Sequence, residues 1–519
     1  MKEQQGLNRY RVLLAASILA YLAFWISFAV YQYSTFGTSY IDLGTAASAL
    51  NIDIYHAGAV SGLEYLSFMT HISPFHLLLI PIFFAFNSPL TLVVVQDLFI
   101  AATAVLVFFA AKFVTGKESV SAALVFAFLL NPGIIGLTYF AFHLEAAMLF
   151  LYVLSFYLFI RGSRYFLLSY FVFLSVFDVD AIVGLTLLIG IAAYGLLYSK
   201  RPGRDSRIWA RNTAKMLPAA FAITVAFLVF YLYASQSLLA AYASGSYINT
   251  PSILHIFGEL QQQAGSIPNA TSSFGTTYVQ FAILLLVVVL LWFGPYPLIA
   301  IIPLLILISP WLAEVFVVHN TNFLFQDTQN LTYATEGSVV AAIMGLELLL
   351  NNKRRGSGSG IARGAMGFLA KASIPLVLVI TAMFVGFVLY FSPAIYTYAS
   401  LEHQAVANYT SWQNASDVLS VLPQNATVLA GADTALRLYR MYYLELPPDE
   451  GYSWYLPLNK TLYSFYWLNT TPEFVVFCKD CSDYGDLTGA QFNVSGYVSH
   501  DYSLYAKGGG IYIYKKTGR

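Results

Sequence analysis

VLLAASILAYLAFWISFAVY, residues 12–31, carries no charged side chain and follows Lys2, Arg9 and Arg11. A helix needs roughly 17 to 25 apolar residues to cross a hydrocarbon core about 30 Å thick, so this run is long enough to span. No small-residue cleavage site follows it, and it reads as an anchored helix with a cytoplasmic start rather than a removed signal peptide. Residues 33 onward then lie outside. The whole chain agrees: of 519 residues 58% are hydrophobic and only 10% charged, where a soluble domain carries roughly a quarter. That excludes a water-soluble enzyme. Twenty-six basic against 26 acidic residues also leave no basic footprint for nucleic acid, and two cysteines are too few for a disulfide scaffold or a four-thiolate zinc site.

Ten further apolar runs fall near 90–111, 119–137, 144–160, 165–177, 181–199, 216–234, 278–293, 298–312, 337–350 and 372–391, giving about eleven transmembrane helices. Loops that stay inside keep an excess of lysine and arginine. Alternation from an inside N-terminus puts Lys112 and Lys117, Arg161 and Arg164, the cluster from Lys200 to Lys215, and the cluster from Lys353 to Lys371 inside. The acceptor pattern Asn-x-Ser/Thr, glycosylated only outside, begins at Asn269, Asn330, Asn408, Asn414, Asn425, Asn459, Asn469 and Asn493. All eight fall outside on this reading. Residues 75–86, bounded by Pro74 and by Asn87-Ser88-Pro89, are too short to cross and read as a helix lying in the outer leaflet within one large outer loop, 33–89. A break at Asp178-Val179-Asp180 separates 165–177 from 181–199, because one long helix would bury two aspartates.

The chain divides into a transmembrane part, 1–391, and an outer part, 392–519. In the latter, Thr427–Ala430, Phe474–Phe477 and Ile511–Tyr514 read as strands, with helical stretches near Ser416–Leu422 and Ala432–Tyr439. This predicts a small C-terminal extracellular α/β domain. Its Cys478 and Cys481 are open to a local disulfide, half of a metal site or two free thiols, and an outer compartment favours the disulfide.

Ionisable groups within or beside spans are functional candidates. The first outer loop offers Asp42, Asp53, His56, Glu64, His71 and His76, the second His143 and Glu145, the third Asp178 and Asp180. Three separate spans thus deliver carboxylates to one face, which suits general-base catalysis or oxygen ligation of a divalent metal. His143 and Glu145 diverge on a regular helix but share a face in an extended turn. The plainer reading is that such loop residues face water or cap helices.

Asp42-Leu43-Gly44, His71-Ile72-Ser73-Pro74, Phe142-His143-Leu144-Glu145 and Asp178-Val179-Asp180-Ala181 together resemble the polytopic membrane proteins grouped as domain of unknown function 2079. Those carry Asp-Leu-Gly, His-Phe-Ser-Pro, Phe-His-Pro-Glu and Lys-Glu-Asp elements in that order. Here Leu144 stands in place of a proline, and of the last element only Asp180 matches. The resemblance extends to the tail, at Val418–Val428 and Arg440–Pro447. It implies a GT-C-like arrangement of the helices and a glycosyltransferase that takes a sugar from a polyprenyl-phosphate lipid at the outer membrane face. It further implies Asp42 and Glu145 as catalytic residues and Asp42, His143, Glu145 and Asp180 as ligands of a divalent metal, Mg or Mn. His71 and Asp178 are the expected substrate contacts.

The competing expectation is a non-catalytic, glycosylated membrane subunit whose outer domain meets protein partners in a larger surface assembly. A transporter would show charged pairs or broken helices at the midplane and an inverted repeat, neither of which stands out. Dense acceptor sites and an outer domain point to an archaeal cell membrane, with the N-terminus cytoplasmic and the C-terminus extracellular.

Overall fold

A computed structural model describes residues 2–34, 43–55, 67–68, 71–139, 142–198, 204–242, 292–294, 296–316, 331–355, 409–423, 426–430, 436–438, 443–445, 472–478, 498 and 501–517. The expected spans 372–391 and most of 278–293 lie outside these residues, as do Asp42, Cys481 and every acceptor asparagine except Asn414.

The chain folds as a helical bundle with a small sheet near its C-terminus. The first helix, α1, runs Lys2–Ser34. After α2 (Thr45–Tyr55) and a two-residue hairpin, β1 (Ser67–Phe68) with β2 (His71–Ile72), a 3₁₀ turn at Pro74–Leu78 leads into α3 (Ile80–Phe86). Next come α4 (Pro89–Thr115), α5 (Glu118–Leu129), α6 (Pro132–Tyr139), α7 (Glu145–Ile160), α8 (Phe166–Leu174), α9 (Asp180–Tyr198) and α10 (Arg204–Tyr242). The later helices are α11 (Tyr296–Ile299), α12 (Ile301–Leu307), α13 (Ser309–Phe316) and α14 (Leu331–Arg355). Among the described residues three helices are long and apolar enough to cross a membrane, Tyr10–Ser34, Pro89–Thr115 and Ala214–Ala234, or four if the bent pair α5–α6 counts as one. Large apolar side chains such as Leu19, Phe24, Phe126, Phe171 and Val229 are exposed on the flanks of the bundle, as a lipid-facing surface requires.

Several elements differ from the sequence expectation for local reasons. The run 119–137 is broken at Asn131 and bends by 47°, because Pro132 has no N–H to give and restricts the residue before it. Asn131 turns the break into a helix start: its Oδ1 accepts the Gly133 N–H at 2.9 Å and the Thr335 hydroxyl at 2.7 Å. The run 298–312 becomes three short helices, α11 to α13, with Pro297, Pro303 and Pro310 in their first turns. The run 165–177 yields only the nine residues of α8, about 13 Å of helix. The 74–86 segment is the 3₁₀ turn followed by α3. Phe75 packs on Phe99 with ring centroids 6.2 Å apart, ten residues along α4, so α3 rises about 15 Å beside the first turns of α4 before the chain reverses at Asn87.

The centre of the bundle is α14, which packs against α4, α6, α7, α11 and α12, while α9 fits between α10 and α12. One end carries cations. Arg11 on α1 and Lys112 on α4 both donate to Glu118 at the start of α5, Arg11 through Nε and Nη2 at 3.1 Å each. Arg161, after α7, places its guanidinium 5.2 Å from the centre of the Phe113 ring. At the opposite end α1 finishes at Ser34, where Arg437 donates to the Tyr33 carbonyl and stacks on the Tyr33 ring at 3.8 Å, a favourable place for a cation. Burial lowers the Arg437 guanidinium from its ordinary value, and Tyr33 acts against that shift.

Arg437 belongs to the C-terminal part, whose five strands take the order β4-β3-β5-β7-β6. They are β3 (Thr427–Ala430), β4 (Tyr443–Glu445), β5 (Phe474–Cys478), β6 (Tyr502–Gly508) and β7 (Ile511–Lys516). β3 pairs parallel with β4 and β5, and β7 pairs antiparallel with β5 and β6. Helix α15 (Tyr409–Leu419) covers one face through Ala415 and Leu419, displaced from the expected 416–422. The stretch expected as a helix at 432–439 is described only as a 3₁₀ turn at Leu436–Leu438.

α14 meets α11 at glycine. A Cβ on Gly345 would overlap the Tyr296 carbonyl oxygen, a backbone atom that cannot step aside. Gly345→Ala should therefore lower stability by about 3 kcal/mol or more, read as a clear fall in melting temperature of the detergent-purified protein. Gly116→Ala meets no atom within 4 Å and costs only the strain of its φ of +69°, about 1 kcal/mol.

Candidate active site

The end of the bundle opposite the cations gathers carboxyl groups. Gln96 on α4 sets the first of them in place. Its Nε2 donates to the Leu137 carbonyl at 3.0 Å and its Oε1 accepts the His143 N–H, so one side chain holds the end of α6 and the approach to α7. His143 stands before α7, outside the regular helix, and its Nδ1 comes within 3.8 Å of the Glu145 carboxylate. Glu145 opens α7, where a carboxylate also favours the helix dipole.

The second contribution comes from the turn between α8 and α9. Asp180 reaches back to accept the Phe177 N–H at 2.9 Å, which fixes the turn before α9. That accounts for one oxygen. Its Oδ1 is buried with no hydrogen-bond partner among the described residues. Glu145 and Asp178 are the charged neighbours that act on Asp180. Glu145, Asp178 and Asp180, from two separated stretches, are thus brought together, with His143 beside Glu145. None of these faces water freely: Asp178 and Asp180 are fully buried and His143 is 5% exposed. The sequence expectation of polar loop residues at the surface is corrected here. α8 is so short that the turn after it remains within the bundle.

The remaining expected site residues are less defined. Asp42, His56 and Glu64 lie outside the described residues, and His71 is described only as backbone in β2. Asp53 and His76, also in the first loop, pair at 3.1 Å, joining α2 to the 3₁₀ turn. The turn is joined in its own right to the end of α8 by Phe75 N–H to the Ser175 carbonyl at 2.9 Å. The first loop is therefore tied to the segment that leads into Asp178. Asn414 is exposed on α15, and Cys478 ends β5, with the expected Cys478–Cys481 pairing outside the described residues.

Three groups were missed. Glu336, on α14, is 1% exposed, has no hydrogen-bond partner at either oxygen among the described residues, and has Asp180 as its charged neighbour. Tyr333, one turn earlier, lies in the field of Glu145, Asp178, Asp180 and Glu336 together. The signal was an acid directly beside the apolar run 337–350. Asp97, next to Gln96, is likewise buried without a partner for either oxygen among the described residues, and faces Tyr21 of α1.

The donor set of carboxylates with one imidazole suits a hard divalent ion. Among the described residues no three such side chains stand close enough to hold one, and Asp42 is not among them.

A family model described as a predicted membrane protein, domain of unknown function 2079, matches residues 46–436. No curated protein matches the chain. Two solved structures are similar over nearly the full length of both chains. Crystalline ArnT from Cupriavidus metallidurans bound to undecaprenyl phosphate shares 13% identity at a TM-score of 0.49, covering 97% of each chain. The same protein in its apo state shares 14% identity at 0.47, covering 98% of each.

Gln96 gives a direct test of how the site is held. Gln96→Ala removes two buried hydrogen bonds and should cost about 2 kcal/mol. Gln96→Glu, which keeps the acceptor but loses the donor to Leu137, should cost a similar amount by leaving a buried carboxylate facing a carbonyl. Both are read from thermal melting of the purified protein.

Proposed function

The chain belongs to the domain of unknown function 2079 family of predicted membrane proteins, and from that premise we propose that it is a GT-C-type membrane glycosyltransferase that moves a sugar from a polyprenyl-phosphate donor to an acceptor hydroxyl. The observation that carries the reading is the convergence of Glu145, Asp178 and Asp180, with His143, at the end of the bundle opposite the basic cluster. In this reading the cluster of Arg11, Lys112 and Arg161 lies inside, eleven helices span the bilayer, and the acid site and the C-terminal domain face out. The levels agree. Lys112 to Gln96 along α4, and Arg161 to Glu145 along α7, are each sixteen residues, or about 24 Å, which brings the acids near the far side of a core about 30 Å thick.

The chemistry follows from a carboxylate close to a reacting sugar. The acceptor oxygen attacks the anomeric carbon, the bond from that carbon to the phosphate oxygen breaks, and its electron pair leaves with the phosphate. Asp42 takes the acceptor's proton. Glu145, two residues beyond the His143 N–H that Gln96 holds, and His143 contact the metal or the phosphate. Mg or Mn would be held by Asp42, His143, Glu145 and Asp180, and when bound it supplies positive charge for the departing phosphate. His71 and Asp178 complete the contacts to the donor.

Asp42→Ala and Glu145→Ala should each lower transfer from a polyprenyl-phosphate sugar by about 10²-fold or more, with the melting temperature kept. Transfer at the native rate in both variants would remove the assignment.

A further inference from the structure

At the basic end of the bundle the cations are treated in two ways. Arg11 and Lys112 both meet Glu118, whereas Arg161 and Arg164, in the turn between α7 and α8, meet no carboxylate among the described residues. Each guanidinium lies over aromatic rings instead. Arg161 is 5.2 Å from the centre of the Phe113 ring on α4 and 6.0 Å from that of Tyr157, and Arg164 is 5.1 Å from that of Tyr165. Stacking covers the flat face of a guanidinium and leaves its in-plane N–H donors available. One of them, on Arg164 Nη2, reaches the Tyr165 hydroxyl at 3.2 Å. Both arginines are exposed. The chain reverses between them at Gly162, with a φ of +66°, and three residues of separation keep their Cα atoms within about 11 Å, inside the joint reach of two arginine side chains.

The surface beside them is apolar. Tyr165, Leu168 and Phe171 follow at intervals of three along α8 and are all exposed, a stripe on one helix face that runs about 9 Å from the level of the arginines along the bundle. Phe113, under Arg161, is exposed as well. We propose that the α7–α8 turn is a binding site for an anionic membrane lipid, its phosphate held by Arg161 and Arg164 and its acyl chain lying along Tyr165, Leu168 and Phe171. The two halves of the surface select that occupant together. Guanidinium N–H edges match phosphate oxygens in paired hydrogen bonds, and a headgroup with its own ammonium would add positive charge where two cations already stand without a carboxylate. A small soluble anion would use the arginines and leave the stripe uncovered. The turn lies at the end of the bundle opposite the acids, so the proposal is independent of the glycosyltransferase reading.

The test is native mass spectrometry of the full-length protein in detergent, titrated with phosphatidylglycerol or with phosphatidylcholine of the same acyl chains. The native protein should bind one phosphatidylglycerol in preference to phosphatidylcholine. Arg161→Gln and Arg164→Gln should each weaken that binding about fivefold, and the two together about 25-fold, the scale of one basic residue beside an anionic headgroup. Leu168→Gln, which touches neither cation, should weaken it about threefold or more. Lys507→Gln, an exposed residue of β6 with the same change of charge, should leave it unaltered. Equal affinity for the two lipids overturns the proposal. So does undiminished phosphatidylglycerol binding in the double arginine variant or in Leu168→Gln. A loss in Lys507→Gln as large as in the arginine variants also overturns it, since net charge alone would then account for binding. Displacement of phosphatidylglycerol by inorganic phosphate at equal concentration does so too, because the turn would then be a site for a soluble anion.

Discussion

Burying a carboxylate in an apolar bundle is expensive unless a cation or several donors meet it, and the two ends of this protein treat that cost in opposite ways. At one end Glu118 is met by both Arg11 and Lys112, which joins α1, α4 and α5. At the other, Glu145, Asp178, Asp180 and Glu336 share one region with no lysine or arginine among the described residues acting on Asp180 or Glu336. The first arrangement holds helices together. In the second, Asp180 Oδ1 and both oxygens of Glu336 are buried with no hydrogen-bond partner among the described residues.

Short and broken helices make that second arrangement. Had α8 run the full thickness, Asp178 and Asp180 would stand in water beyond the bundle. With nine residues it stops early, and the chain turns within reach of Glu145. The break at Asn131-Pro132 bends α6 toward the same end, where Gln96 holds its last turn and the approach to α7. The hairpin of α3 against α4 brings Phe75 to the Ser175 carbonyl. These three irregularities lie in elements that carry the acids or hydrogen-bond to those that do.

Much of this was legible in the sequence. The apolar runs marked α1, α4, α7 and α9, since hydrophobic length is set by simple partition, and Asp178-Val179-Asp180 marked the turn before α9 because two acids would not sit in mid-helix. β3, β5 and β7 were readable as runs of branched and aromatic residues. β4 and β6 were not, being more polar edge strands that owe their form to the neighbours they pair with. Prolines at 132, 297, 303 and 310 were visible, yet hydropathy sums over a run and does not see a bend. Glu336 escaped for a related reason: drawing the apolar run from 337 placed it in a loop, whereas α14 begins at Leu331 and carries it inside. Depth came out differently because a polar loop is expected to reach water, and only packing shows that α8 ends too soon for that.

The helix that carries Glu336 is also the one the bundle grips most closely. A Cβ on Gly345 would strike the Tyr296 backbone, one on Gly337 the Leu307 backbone, and one on Gly133 would reach Thr335 and the Leu331 backbone. Three close approaches along one helix fix its rotation as well as its position, because a turn of even a few tens of degrees would drive larger side chains into those contacts. Glu336 is therefore held in place by the packing of α14, with no hydrogen bond of its own among the described residues. A group that is costly to bury stays where it is because close packing elsewhere on the same helix outweighs it.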